Sequence, residues 1–172
     1  IDYGQNSLYY LLVATLFKNK IDIIDFGNID FIISFSVQNL NLVLFIFSLF
    51  GFYNLLKEMD FEENTIFISL TLFCFFPQAL IARALMKPEI FVLALFPWII
   101  VFFERFLKNG SINELYKAIP FLVLICNSKA SAAGMTIIYL FISYFEILKK
   151  LSLKNFIIIF VSFLTLFSLI QF

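Results

Sequence analysis

The sequence has no histidine and only two cysteines among its 172 residues. Without histidine, the chain lacks the commonest general base and the commonest ligand of zinc and haem iron. Both cysteines, Cys74 and Cys126, lie in apolar runs, which argues against a disulfide framework or a cysteine metal site. Any chemistry therefore has to come from Asp, Glu, Lys, Arg or Tyr, and we predict no metal site.

Charged side chains are also scarce, at 14% of the chain, and twelve Lys and Arg balance twelve Asp and Glu. A zero net charge gives no reason to expect a nucleic-acid partner. No glycine-rich phosphate loop, dinucleotide fingerprint or Gly-x-Ser-x-Gly elbow is present. The sequence accordingly predicts no nucleotide-driven activity and makes no cofactor evident.

Apolar side chains make up 62% of the chain, with 26 phenylalanines and a mean hydropathy of +0.99. A soluble domain is about half apolar and about a quarter charged. The excess is more than one core of this size can bury, so it has to face lipid. The composition excludes a small soluble enzyme and predicts a multi-pass integral-membrane protein.

Charge-free windows indicate the number of membrane spans, because about 20 apolar residues cross the hydrocarbon core. The windows cover residues 31–56, 64–82, 90–103, 118–128, 130–145 and 155–172. We expect an all-α bundle of about five to six spans formed by residues 31–172 of a single transmembrane domain. Two short helices are expected to meet near Lys129 rather than to form one long helix.

The first apolar segment, residues 3–17, opens with polar residues, and its strongly apolar part is short. Such a segment more often lies in the membrane interface than across the bilayer. We therefore assign residues 1–30 to an external loop that contains one short interfacial helix.

Pro97 lies inside the 90–103 window, where a proline removes one backbone hydrogen bond. A kink is expected there rather than a break, since neighbouring helices can satisfy the freed carbonyl.

Lysine and arginine counts in alternate loops predict the orientation. One side carries seven of these residues and the other carries five: Lys57, Arg105, Lys108, Lys117, Lys149, Lys150 and Lys154 against Lys18, Lys20, Arg83, Lys87 and Lys129. We place the side with seven in the cytoplasm. Because the chain starts at Ile1 and stops inside an apolar run at Phe172, we interpret it as part of a longer membrane protein.

Residues 77–89 contain the most informative cluster of charges on the predicted external side. Arg83 and Lys87 are four residues apart and share a face of any helix that continues through them, with Glu89 close by. Two cations on one face can clamp a phosphate. The alternative is that they anchor a helix end among lipid head groups. Lys129 is a second candidate, because an ionisable side chain deep in the membrane often belongs to a functional site. The alternative is that Lys129 ends a short span and that its side chain reaches the interface.

The beginning of the chain holds a third candidate group. Asp2 supplies a carboxylate just before the aromatic pair Tyr9 and Tyr10. The alternative interpretation is that the tyrosines form an interfacial aromatic belt and that Asp2 is a solvated loop residue.

Three short motifs follow one another along the chain. Residues 6–12 read Asn-Ser-Leu-Tyr-Tyr-Leu-Leu, Pro77 is followed by Lys87-Pro88-Glu89, and residues 123–129 read Val-Leu-Ile-Cys-Asn-Ser-Lys. In this order they resemble motifs of the GT-C superfold. They are similar in particular to the bacterial mannosyltransferase and aminoarabinosyltransferase type of membrane glycosyltransferase, whose donors are polyprenyl-phosphate sugars.

The resemblance implies transfer of a sugar from a polyprenyl-phosphate donor to an acceptor at the external face of a bacterial plasma membrane. Arg83 and Lys87 would hold the donor phosphate, with Lys129 assisting. In the family an aspartate upstream of the Tyr-Tyr segment is the catalytic base. The family's Asp-Glu motif is missing here, so we expect the base before Ile1, with Asp2 as the candidate within this sequence. The implied partners are membrane lipid and a lipid-linked sugar, and this stretch alone is expected to be inactive.

Two other classes of membrane protein remain open. One is a transporter, flippase or polymerase of lipid-linked sugars, although such transporters often contain internal repeats and we find none here. The other is a non-catalytic membrane subunit in which every charge named above is an anchor.

Overall fold

The computed structural model describes residues 8–18, 29–84, 88–128 and 130–171. Nine α-helices account for nearly all of these residues: α1 Leu8–Lys18, α2 Ile29–Glu58, α3 Glu63–Phe75, α4 Pro77–Ala84, α5 Glu89–Asn109, α6 Ile112–Ser128, α7 Ala130–Ser143, α8 Phe145–Lys150 and α9 Leu153–Gln171. These ranges contain no strand, so the all-α prediction is confirmed for this part of the chain.

Two of the described helices are long and apolar enough to cross a membrane, namely Ser34–Glu58 within α2 and the whole of α5. The other apolar segments, Glu63–Phe75, Ala133–Ser143 and Leu153–Leu169, are shorter. The count of five to six spans therefore stays a prediction.

The charge-free window at residues 64–82 is divided into α3 and α4. The Phe76 amide donates to the carbonyl of Phe73 (3.2 Å), and Phe76 itself has an extended backbone. Pro77 then opens α4, a position that suits a residue without an N–H. The thirteen residues of α3 extend only about 20 Å, so α3 and α4 together have the length of one span.

Helices α6 and α7 lie on either side of Lys129, which itself falls outside the described residues. The expectation that two short helices meet there therefore stays a prediction. The short apolar segment near the start forms a helix of eleven residues, α1.

Helix α5 lies at the centre of the fold and contacts α2, α4, α6, α7 and α8. Its closest neighbour is α2, where Gly51 faces the indole of Trp98. A Cβ atom at Gly51 would lie 2.7 Å from Trp98 Nε1, so the absence of a side chain makes room for the ring. The indole N–H donates to the carbonyl of Phe47 on α2 (3.1 Å), which fixes the two helices in register.

Pro97 is accommodated inside α5 by a side chain of α2. Since Pro97 has no N–H, the carbonyl of Leu93, four residues earlier, loses its helical partner. The Ser48 hydroxyl, fully buried, donates to this carbonyl at 2.7 Å. The expectation that a neighbouring helix satisfies the freed carbonyl is confirmed.

Salt bridges hold one end of the bundle, the ion-pair end, defined by Glu58, Asp60, Arg105 and Lys108. Arg105 Nε lies 2.6 Å from Glu58 Oε1, and Lys108 Nζ lies 2.9 Å from Asp60 Oδ2 and also donates to the backbone carbonyl of Glu58. Lys150 Nζ reaches the Leu107 carbonyl (3.4 Å). The three loops counted on the side with seven cations therefore meet at one end of the described structure.

Tyr144 interrupts the helical chain between α7 and α8 near the ion-pair end. Its hydroxyl donates to Glu104 Oε1 (2.8 Å), and its ring packs edge-on against Phe103. This hydrogen bond ties the turn between α7 and α8 to the end of α5.

Candidate functional site

A chain of hydrogen bonds joins α1, α2 and α4 at the end opposite the ion pairs. The Tyr9 hydroxyl donates to Asn41 Oδ1 (2.9 Å), and Asn41 Nδ2 donates to the backbone carbonyl of Arg83 (3.1 Å). Tyr9 and Asn41 are both fully buried. We call this region, where Tyr9, Asn41 and Arg83 meet, the Tyr9 end.

Packing explains why Tyr9 lies so deeply in the fold. Its ring makes edge contacts with Tyr10, on the same helix, and with Phe91, in the first turn of α5. Helix α1 contacts α6 as well as α2. Burial raises the pKa of Tyr9, while the hydrogen bond to Asn41 acts in the opposite direction. Its hydroxyl therefore remains a neutral donor to the amide.

Arg83 is fixed by its backbone and exposes its side chain. The carbonyl that accepts the hydrogen bond from Asn41 Nδ2 is the main-chain carbonyl of Arg83, in the last described turn of α4. The guanidinium carbon lies 5.9 Å from the centre of the Phe45 ring, so the charged group makes a cation–π contact with that ring. Among the described residues, no carboxylate forms an ion pair with Arg83. An exposed guanidinium is a group that can form charge-assisted hydrogen bonds with an anion.

A cleft of about 430 Å³ opens beside Arg83 on the surface of α2. Its polar lining comes from the guanidinium and from the exposed amides of Gln38 and Asn39, and Phe35 and Leu42 complete the wall. Neither amide forms a hydrogen bond to another described residue. The cleft thus combines a positive charge with two amides that can both donate and accept.

A second cleft, of about 310 Å³, lies on the other side of Asn39, towards α1. Leu16 of α1 and Ser36 of α2 contribute to its wall. The Ser36 hydroxyl is buried and has no hydrogen-bond partner within the described part of the chain. A polar group in this state favours contact with a ligand or with water.

The sequence interpretation did not select the polar residues of α2, although they were visible. Ser36, Gln38, Asn39 and Asn41 fall within two turns of a window that is otherwise strongly apolar. Amides in an apolar span tend to hydrogen-bond to neighbouring elements, and this was the signal that could have found them.

The remaining predicted site residues divide into two groups. Glu89 begins α5, directly after Pro88, and is half-buried, and Tyr10 is half-buried beside Tyr9. Asp2, Lys87 and Lys129 lie outside the described residues. The structure therefore brings Tyr9 and Arg83 together through Asn41, while the proposed clamp of three cations stays a prediction.

Acidic, cysteine and histidine side chains do not gather into a group of three that could hold a metal ion anywhere in the described ranges. The chemistry that can be described at the Tyr9 end is therefore hydrogen bonding by amides and hydroxyls together with attraction of an anion by Arg83.

No protein-family model, no curated protein and no solved structure matches the chain. Its function accordingly has to be inferred from its own residues and their geometry.

Proposed function

We propose that the chain is part of a GT-C-type integral-membrane glycosyltransferase, which moves a sugar from a polyprenyl-phosphate donor to an acceptor at the external membrane face. The observation that carries this proposal is the joining of Tyr9, from the short first helix, to Arg83 through Asn41. Two elements far apart in sequence are thereby held together around an exposed guanidinium and a polar cleft.

The outer surface of the bundle supports a membrane location. Large apolar side chains stand outside on several helices, and Phe67, Phe75, Met135, Ile142 and Leu153 are each more than 70% exposed. Soluble monomers rarely expose apolar patches of more than a few hundred Å². The proposed arrangement has about five to six spans, made of α2, α3 with α4, α5, α6, α7 and α9, with α1 in the interface.

The charges favour placing the Tyr9 end outside and the ion-pair end in the cytoplasm of a bacterial plasma membrane. The ion-pair end receives the loops with seven lysines and arginines, and cytoplasmic loops carry the excess of such residues. A polyprenyl chain would then lie in the bilayer while its phosphate reaches the cleft beside Arg83.

The reaction breaks the bond between the sugar's anomeric carbon and the phosphate oxygen, while an acceptor oxygen or nitrogen bonds to that carbon. Negative charge develops on the departing polyprenyl phosphate. Arg83 would stabilise this charge through its planar fork, with Lys87 and Lys129 as further cations. A carboxylate upstream of Tyr9 would take the acceptor's proton, and Asp2 is the candidate within this chain.

The amides of Gln38 and Asn39 give the cleft a way to recognise the sugar. Sugar hydroxyls donate and accept hydrogen bonds, and a primary amide can do both at once. With Arg83 at one side of the same cleft, the amides would bind the sugar next to its phosphate.

The Arg83 side chain can be changed without loss of the hydrogen bond that fixes α4, because Asn41 binds the backbone carbonyl. We expect Arg83→Ala to lower sugar transfer about 100-fold, the typical effect of removing one group that stabilises transition-state charge. Arg83→Lys keeps the charge without the planar fork and should restore part of the activity. Because this stretch alone is expected to be inactive, the substitutions are made in the whole glycosyltransferase of which it is proposed to be part. Transfer is then measured in membranes with a radiolabelled polyprenyl-phosphate sugar.

Lys57→Ala is the matched control, since Lys57 is an exposed cation on α2 near the ion-pair end. Its transfer rate should stay within a factor of two of the native rate. Native activity in Arg83→Ala would contradict a phosphate-binding role for the arginine.

A transporter of lipid-linked sugars is the second candidate, and the break between α3 and α4 at Phe76 favours it. Interrupted helices form the substrate sites of many transporters. Vesicles that contain the protein and a labelled lipid-linked sugar, but no acceptor, separate the two functions. Movement of intact lipid-linked sugar to the other leaflet would support transport, whereas transfer to an added acceptor would support the glycosyltransferase.

A further inference from the structure

An apolar groove of about 320 Å³ runs between α6, α7 and α9, away from the cleft beside Arg83. Its walls include Leu122 of α6, Ile137 and Phe141 of α7, and Ile159 and Phe163 of α9. Nearly all of its lining is hydrocarbon. Open space of this kind removes contacts from its walls, so an apolar occupant would stabilise the bundle.

The groove opens outwards rather than into the bundle. Ile137, Phe141 and Phe160 line it and are each more than half exposed. In a membrane this open side would face lipid tails, so the hydrocarbon nearest to the groove belongs to a lipid.

One end of the groove reaches the short helix α8 and the turn into α9, near the ion-pair end. Leu148 and Leu151 line this end, and Phe156 continues the wall on α9. Tyr144 lies beside them and is tied to α5 by its hydrogen bond to Glu104. The interruption of the helix at Tyr144 is what lets α8 close this end of the groove.

Exposed lysines flank these lining residues. Lys149 and Lys150 adjoin Leu148 and Leu151, and Lys154 lies two residues before Phe156. Lys150 reaches the Leu107 carbonyl and Lys149 lies over the Phe145 ring, while Lys154 makes no ion pair with a described residue.

The acidic groups near the lysines are fewer or already engaged. The described carboxylates on α5, α6 and α8 are Glu89 at the opposite end of α5, Glu104, which binds Tyr144, Glu114, which pairs with Lys117 at 2.5 Å, and Glu146. At the ion-pair end, Glu58 and Asp60 pair with Arg105 and Lys108. An excess of positive charge therefore lies at the mouth of an apolar groove. Basic pockets between helices on the cytoplasmic side are typical binding sites for anionic lipid head groups.

We propose that this groove binds an anionic phospholipid of the surrounding bilayer, with one acyl chain between α7 and α9 and the phosphate beside Lys149 and Lys154. The charge complementarity selects an anionic lipid over a zwitterionic one. This inference depends on the membrane location proposed above but not on the glycosyltransferase activity, because the site is separate from Arg83.

The test measures lipid retention by native mass spectrometry of the protein in mild detergent, with equal amounts of phosphatidylglycerol and phosphatidylcholine added. The native chain should retain one phosphatidylglycerol in preference to phosphatidylcholine. The double variant Lys149→Gln/Lys154→Gln should weaken phosphatidylglycerol retention about 30-fold, since each lysine near an anionic head group contributes about a factor of five. The control Lys57→Gln removes an exposed lysine that forms no salt bridge with a described residue, and its retention should stay within twofold of the native value.

A second variant, Ile159→Trp, fills the groove and should reduce retention of both lipids, with helix content monitored by circular dichroism. Equal retention of the two lipids by the native chain would overturn the proposal, even if every variant failed to fold. A folded Ile159→Trp protein with undiminished phosphatidylglycerol binding would overturn it as well. So would a second protein that co-purifies with the chain while no phospholipid is retained. Since no sugar donor is present, a negative result here is distinct from a failure of sugar transfer.

Discussion

Single polar side chains connect the helices of this protein. Asn41 joins α1 to α4 by accepting from Tyr9 and donating to the Arg83 carbonyl, and Ser48 joins α2 to α5. Each of these groups is fully buried, where a polar atom without a partner costs about 1–3 kcal/mol. Asn41 and Ser48 therefore stabilise the fold in two ways: they connect two helices, and they give a backbone carbonyl a hydrogen-bond partner.

Ser48→Ala should lower the free energy of unfolding by about 1–2 kcal/mol, because the Leu93 carbonyl freed by Pro97 loses its only side-chain donor among the described residues. Reversible unfolding in mixed micelles measures the change. Ser168→Ala is the matched control, since the Ser168 hydroxyl is exposed and donates within its own helix. Equal stability losses in the two variants would contradict the role given to Ser48.

Helix α5 owes its central place to a close approach by α2. Trp98 fits against Gly51 and bonds to the Phe47 carbonyl, and Pro97 lies beside the same glycine. Gly51 has space for the indole only because it lacks a Cβ, whereas Gly134 on α7 has no atom within 4 Å of the position that a Cβ would take. Two helical glycines of one chain therefore have opposite packing constraints.

Gly51→Ala should destabilise the fold by about 1–3 kcal/mol, because the new methyl group displaces the Trp98 ring and breaks its bond to Phe47. Gly134→Ala should be neutral or stabilising by up to about 1 kcal/mol, because alanine is the better helix former. Trp98 is the only tryptophan in the chain, so its fluorescence emission reports the displacement directly. An unchanged emission spectrum in Gly51→Ala would show that the ring had not moved.

The whole bundle has two chemically different ends. The ion-pair end gathers Glu58, Asp60, Arg105 and Lys108, while the Tyr9 end gathers amides, hydroxyls and Arg83. This division follows from the alternation of the helices, which returns every second connection to the same end. It is what gives the proposed membrane orientation a structural basis.

Cysteine labelling tests this arrangement in a background with Cys74→Ala and Cys126→Ala. Lys57→Cys, Lys108→Cys and Lys149→Cys should all react with a membrane-impermeant maleimide from the cytoplasmic side. Ala84→Cys, at the exposed end of α4, should react from the opposite side only. Labelling of Ala84→Cys and Lys57→Cys from the same side would show that α3 and α4 do not together cross the membrane.

The amino-acid sequence alone determined the class of the fold and much of its segmentation. Its apolar excess and charge-free windows predicted helices throughout, and α1 and the long α2 follow those windows. These features depend on local composition and length, which can be read directly along the chain. The expectation that a neighbouring helix satisfies the carbonyl freed by Pro97 also held, because the loss of the N–H is a property of the residue itself.

Only the tertiary structure decided which polar groups meet. The chain contains many amides and hydroxyls, and nothing local indicates that Asn41 lies between Tyr9 and Arg83, or that Ser48 faces Leu93, 45 positions further along the chain. Such pairs depend on the rotation and register of each helix against its neighbours. That register is set by packing around Gly51 and Trp98, which involves residues that are distant in sequence.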